Sequence, residues 1–97
     1  MSRFSIIIPA YNEEQFLPST FEALRRAEAA LGEPVEVVVA DNVSTDRTAE
    51  VAERLGARVV REETRCIGVV RNTAVKHATG KYLVFLNNDT VPLEGWL

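Results

Sequence analysis

Two short polar segments carry the residue types this chain could use for chemistry. Asn87-Asn88-Asp89-Thr90 follows the apolar run Tyr82-Leu83-Val84-Phe85-Leu86. Amides and carboxylates often end strands because their side chains bond nearby backbone, so a polar turn is one reading. The other is a cation site: Asp89 with Asn87 offers hard oxygen ligands, and Mg²⁺ or Mn²⁺ usually takes one or two carboxylates plus substrate phosphates. With one carboxylate, such a site has little metal affinity until a diphosphate completes its shell. Asp41 heads the second segment, Asp41-Asn42-Val43-Ser44-Thr45-Asp46. A carboxylate at the end of a strand either caps the next helix or accepts hydrogen bonds from a base or ribose.

Other candidates surround these two. Pro9-Ala10-Tyr11-Asn12-Glu13 follows the first apolar run, and Tyr11 suits either an aromatic platform for a base or a ring closing the core. Arg65 and Arg71 bracket a helix start, where a guanidinium pairs with phosphate oxygens or simply stays solvated. His77 lies at helical spacing beside an apolar face and reads as structural. No Gly-x-Gly-x-x-Gly follows the first strand and no Gly-Lys-Ser/Thr occurs, which disfavours nicotinamide dehydrogenases and P-loop NTPases.

Composition sets the bounds. Ninety-seven residues make one domain at most, and 46% hydrophobic with 26% charged residues suits a soluble globular core rather than disorder. A net charge of -3 with interspersed signs leaves no footprint for nucleic acid. The lone Cys66 excludes an internal disulfide and, with a single His, the usual zinc spacings. No apolar run reaches membrane-spanning length, so the expected location is the cytoplasm, in solution or attached peripherally to a membrane.

The elements that must position these residues alternate. Phe4 to Ile8 reads as a strand that Pro9 ends. Asn12 then caps a helix carrying Leu17, Phe21, Leu24, Ala27 and Leu31 inward, closed by Gly32 and Pro34. Val35 to Ala40 is a buried strand, and Ser44 or Thr45 caps a second helix that stops at Gly56. Ala57 to Val60 forms a short strand, and Ile67, Val70, Ala74 and Ala78 mark a third helix ending at Gly80. Tyr82 to Leu86 reads as a fully buried fourth strand. This order predicts an α/β fold: an open, mainly parallel, Rossmann-like sheet with helices on both faces. Ligands of such sheets bind beyond the carboxyl ends of the strands, the edge where all three polar loops fall.

The stretches "SIIIPAYNEE", "VVVADNVSTDRTAEVAERLG", "GVVRNTAVKHATGKYLVFLNNDT" and "VPLEGWL" resemble the donor-binding half of family 2 glycosyltransferases, of the GT-A fold. The resemblance implies a nucleotide-diphosphate-sugar donor, a divalent metal (Mn²⁺ or Mg²⁺) and inversion at the anomeric carbon. On the matching positions, Pro9, Ala10, Tyr11 and Glu13 correspond to the first nucleotide-contacting loop and Asp41 to the aspartate that holds the base. Arg65 matches the basic residue near the donor. Asn87-Asn88-Asp89 takes the family's Asp-x-Asp position, with Asp89 and Asn87 as metal ligands and Asn88 beside the donor. Two positions depart from the pattern: Asn87 replaces the first acid, and Asn42-Val43 replaces a frequent Asp-Gly.

An inverting transfer needs a general base for the acceptor hydroxyl, and the family's base lies in a later segment. Residues 1–97 therefore read as the nucleotide-sugar-binding half of a glycosyltransferase domain, without the base and acceptor segment. A non-catalytic nucleotide-binding or assembly module derived from this fold is the alternative. Nucleotidyl transfer ranks behind both, because it prefers a glycine-rich basic loop after the first strand. A homo-oligomer is expected, formed through sheet surface near the fourth strand and the closing apolar segment Val91 to Leu97.

Overall fold

Strand alternation decides which helix covers which face. In the computed structural model, which describes residues 4–64 and 66–86, the order is β1 (Phe4–Ala10), α1 (Leu17–Leu31), β2 (Glu36–Asp41), α2 (Thr48–Arg54), β3 (Arg58–Arg61), α3 (Ile67–His77) and β4 (Tyr82–Phe85). Ile6 and Ile8 of β1 pack with Val37 and Val39 of β2 against Leu17, Phe21 and Leu24 of α1 and Ala52 of α2. Ile7, Val38 and Ala40 face the other way, onto Val70 and Ala74 of α3. Because successive strand residues point to opposite faces, the run Ile6-Ile7-Ile8 serves both layers. Each fully buried Ile or Leu contributes about 1.5–3 kcal/mol relative to exposure, so these two small clusters hold the sheet between its helices.

The described sheet is four-stranded and wholly parallel, in the order β3-β2-β1-β4. The chain winds outward from β1 through β2 to β3, then returns through α3 to place β4 on the other side of β1. That reversal puts a switch point between the carboxyl ends of β1 and β4, where open α/β sheets bind ligands. The α/β architecture with helices on both faces is the one the sequence predicts.

Local boundaries differ in informative ways. β1 continues through Pro9, which lies opposite Ala40. Asn42 N–H donates to the Ala10 carbonyl at 2.8 Å, so by alternation the Pro9 nitrogen faces away from β2. Described pairing on that other side reaches Ile7, whose carbonyl accepts Leu86 N–H at 2.9 Å. The proline therefore removes no described rung.

α1 begins at Leu17 rather than just after Asn12, with Pro18 in its first turn, where a missing N–H costs nothing. It ends where Gly32, at φ 82°, donates its N–H to the Glu28 carbonyl. β4 is an edge strand among the described residues, not a buried one: Tyr82, Leu83 and Phe85 are exposed, and Leu86 is buried. Among the described residues β4 pairs with β1 on one side only.

At the opposite, amino-terminal edge, Glu36 accepts hydrogen bonds from Ser5 Oγ (2.8 Å), Thr79 N (2.9 Å) and Thr79 Oγ1 (3.0 Å). Gly80 N–H donates to Ser5 Oγ at 2.8 Å. A Cβ at Gly80 would stand 2.4 Å from Ser5 Oγ and 2.7 Å from Ser5 N. The entry of β4 thus needs a glycine for close approach.

Candidate functional site

The loops after β1 and β2 are sewn together by their polar side chains. Asn12, at φ 51°, gives its N–H to Ser44 Oγ (2.9 Å), while its Oδ1 accepts Thr45 N–H (2.8 Å). Glu13 N–H donates to Thr48 Oγ1 at 2.9 Å and Glu14 N–H to Asp46 Oδ2 at 3.3 Å. The sequence reading gave Asn12 and Ser44 or Thr45 to helix caps. Neither role is taken: N-terminal positions of α1 and α2 carry no side-chain cap from them, and Thr48 N–H is met by Asp46 Oδ1 at 2.9 Å. Asp46 is correspondingly held in its ionised form. Burial opposes its charge, but hydrogen bonds from the Thr48 hydroxyl and amide and the Glu14 amide outweigh that, leaving its pKa below the ordinary 3.8.

Asp41 does not cap α2. The residue is only 7% exposed, and Oδ1 accepts both Ser44 Oγ–H (2.5 Å) and Ser44 N–H (3.3 Å). Oδ2 has no hydrogen-bond partner among the described residues. Between them, Val43 is held at φ 55°, a left-handed conformation that a β-branched residue rarely adopts. Asn42 anchors this turn: its Nδ2 donates to the carbonyls of Glu62 (2.6 Å) and Thr64 (3.0 Å), tying the β2 loop to the segment leading toward Arg65. An aspartate at position 42 could not make these donations.

Pro9 and Ala10 are buried at the carboxyl end of β1, and Tyr11 stands exposed beside them rather than closing the core. Glu13 is half-buried on the same loop. The structure therefore gathers Pro9, Ala10, Tyr11, Glu13 and Asp41 at one edge. Arg65, Asn87, Asn88 and Asp89 lie outside the described residues. Arg71 adds a basic group near that edge: its Nε is buried with no hydrogen-bond partner among the described residues, and its guanidinium carbon sits 5.6 Å from the Phe85 ring centroid. His77 is remote, with Nδ1 3.0 Å from the Thr73 carbonyl oxygen and its own carbonyl accepting from Arg58 at the amino-terminal edge. Among the described residues no group of three His, Cys, Asp or Glu could hold a metal.

A protein-family model described as "Glycosyl transferase family 2" matches residues 5–97. The chain belongs to glycosyl transferase family 2. It is 35% identical over 95 residues to the poly(ribitol-phosphate) β-N-acetylglucosaminyltransferase TarS of Staphylococcus aureus, covering 92% of this chain and 16% of that protein. The structure of S. aureus TarS 1-349 in complex with UDP-GlcNAc superposes with a TM-score of 0.75 at 34% identity, over 92% of this chain and 27% of the other. The mannosyltransferase PcManGT of Pyrobaculum calidifontis, in complex with GDP-Man and Mn²⁺, superposes with a TM-score of 0.81 at 29% identity, over 93% of this chain and 28% of that one. This family 2 chain thus spans less than a third of these relatives and carries the parallel α/β sheet of their GT-A fold.

What sequence reasoning missed is the ties between loops. The run Ser44-Thr45-Asp46 signals local capping, and its partners at Asn12 and Glu14 lie more than thirty positions away.

Proposed function

We propose that residues 1–97 form the donor-binding half of an inverting glycosyltransferase domain, which takes a nucleotide-diphosphate sugar and delivers the sugar to an acceptor hydroxyl. The observation carrying this reading is Asp41: an acid only 7% exposed at the carboxyl edge of the sheet, with one oxygen engaged by Ser44 and the other without a partner among the described residues. Such an oxygen accepts a hydrogen bond from a base or ribose. Pro9, Ala10 and Tyr11 would line the nucleoside side and Glu13 the loop behind it, while Arg65 and Asn88 would face the diphosphate sugar. The TarS complex with UDP-GlcNAc and the PcManGT complex with GDP-Man support this class of donor.

Asp89 and Asn87 are the proposed metal ligands. Their oxygen donors suit Mg²⁺ or Mn²⁺, and the Leu86 N–H bond to the Ile7 carbonyl brings the chain to the switch-point edge immediately before Asn87. A cation bound there with the donor would neutralise charge on the leaving diphosphate. The Mn²⁺ in the PcManGT complex supports this cofactor.

The proposed location is the cytoplasm, with peripheral membrane attachment compatible. Among the described residues no helix is long and apolar enough to cross a membrane, and the lone Cys66 suits a reducing compartment. The exposed Tyr82, Leu83 and Phe85 on β4 support self-association through that edge. A strictly monomeric species in sedimentation across the micromolar to millimolar range would count against it.

Calorimetric titration of the 97-residue polypeptide with UDP and with GDP, each with Mn²⁺, tests the donor reading. Saturable binding of at least one is expected, with no sugar transferred from UDP-GlcNAc or GDP-Man to acceptor alcohols. Absence of binding by both at millimolar concentration would contradict it.

A further inference from the structure

We infer that Ser44 is a positioning residue that fixes which oxygen of Asp41 is offered to the nucleoside; the inference rests on the donor-binding reading above. Ser44 Oγ accepts the Asn12 N–H at 2.9 Å, so its single proton is directed to Asp41 Oδ1 at 2.5 Å. The Ser44 N–H adds a second, longer donation to the same oxygen at 3.3 Å. Both donors reach Oδ1 because Val43, at φ 55°, folds the chain back on itself between the two residues. The carboxylate is thereby held about its Cβ–Cγ bond with Oδ1 engaged and Oδ2 presented. An acceptor preset in this way loses less rotational freedom on binding than one that turns freely.

Ser44 touches two elements at once, so its hydroxyl also joins the β1 loop to the acid. Removing it leaves the Asn12 N–H without its acceptor and the carboxylate held only by the longer Ser44 N–H contact. The effect passes through Asp41 and so reaches the nucleoside, not the phosphates.

The test compares UMP with UDP, and GMP with GDP, on the 97-residue chain. Ser44→Ala should weaken binding by about 5- to 20-fold, at or below the loss for one hydrogen bond to a charged group because the effect passes through Asp41, and by the same factor for the mono- and diphosphate. Ser44→Thr, which keeps the hydroxyl, should restore affinity to within about threefold of wild type, allowing for one added methyl. In an Asp41→Asn background the Ser44→Ala change should cost less than about twofold, because residues acting through one another are not additive. A residue serving stability alone would lower the melting temperature and give losses that add fully to those of Asp41→Asn. Wild-type affinity in Ser44→Ala, fully additive losses, or a loss confined to the diphosphates would overturn the inference while leaving nucleotide binding intact. Failure of the wild type to bind any of the four nucleotides would overturn the donor-binding reading itself, and this inference with it.

Discussion

Asn12 and Ser44, 32 positions apart, meet at 2.9 Å through the Asn12 N–H and the Ser44 hydroxyl. Asn12 also holds the facing loop through its side chain, accepting Thr45 N–H at 2.8 Å, and does so from a left-handed backbone at φ 51°. Asparagine tolerates that conformation better than most residues. Asn12→Ala should therefore cost roughly 1–2 kcal/mol, combining a lost hydrogen bond with backbone strain. Asn12→Gly should cost less, since it loses the bond and about 0.4–1 kcal/mol of chain entropy but no backbone strain. Urea unfolding of the two variants separates the contributions, and equal losses would show that the backbone strain at Asn12 is no larger than glycine's entropic cost.

Val43 gives the opposite sign. A β-branched residue at φ 55° is strained, and glycine would relieve about 1–2 kcal/mol of that. Glycine also gives back about 0.4–1 kcal/mol through the greater freedom of the unfolded chain. Val43→Gly should leave the protein as stable as wild type or up to about 1 kcal/mol more stable. A loss above that amount in the same unfolding assay would mean that the valine side chain contributes packing that outweighs its backbone.

Which of these features could be read from the chain depends on how local their cause is. Leu17, Phe21, Leu24 and Ala27 repeat at helical spacing, and Ile6, Ile7 and Ile8 run unbroken, so α1 and a doubly covered β1 follow from short-range pattern. Asp41 at the end of an apolar strand likewise marks the carboxyl edge of the sheet. The tasks of Asn12, Ser44 and Asp46 were not readable, because each has a partner on another loop and the same residue types serve as helix caps. The exposure of Tyr82, Leu83 and Phe85 was hidden for a related reason: an apolar run specifies a strand, and its place in the sheet is set by neighbours far away in sequence.

Gly80 should tolerate no side chain. A Cβ there would lie 2.4 Å from Ser5 Oγ and 2.8 Å from the Phe4 carbonyl carbon, one of them main chain that cannot swing aside. Gly80→Ala should destabilise by roughly 1–3 kcal/mol, the usual cost of overpacking, and weaken the pairing of β4 with β1. Hydrogen exchange at the Leu86 amide, which bonds to the Ile7 carbonyl, should speed up in this variant. Unchanged protection there would contradict the proposed role of Gly80 in seating β4.

Acid should loosen both edges of the sheet. Burial raises the pKa of Glu36, but hydrogen bonds from Thr79 and Ser5 and the charge of Arg58 more than offset it, so its carboxyl lies below the ordinary 4.5. Asp46 lies below 3.8 for the reasons given above. A depressed folded-state pKa means that the unfolded chain takes up protons first as pH falls. The stability these groups contribute is full above 4.5 and lost as pH drops through their folded values. The urea midpoint should be flat from neutrality to about pH 5 and fall below about pH 4, and Glu36→Gln should shallow that fall. A midpoint that rises on acidification would contradict the linkage.

The central claim is that Asp41 holds the nucleoside while Asp89 holds a metal on the diphosphate. Calorimetric titration of UDP and GDP, with and without Mn²⁺, on wild type, Asp41→Asn and Asp89→Asn, tests it most directly. Mn²⁺ should tighten nucleoside diphosphate binding to the wild type, and by linkage the nucleotide should tighten Mn²⁺ binding by the same factor. Asp89→Asn should abolish the Mn²⁺ effect and keep the weaker metal-free binding. Asp41→Asn should weaken binding under both conditions by roughly 1–3 kcal/mol. A wild type indifferent to Mn²⁺, or an Asp89→Asn variant that keeps the whole metal effect, would contradict the metal site, and unchanged affinity in Asp41→Asn would contradict the nucleoside site.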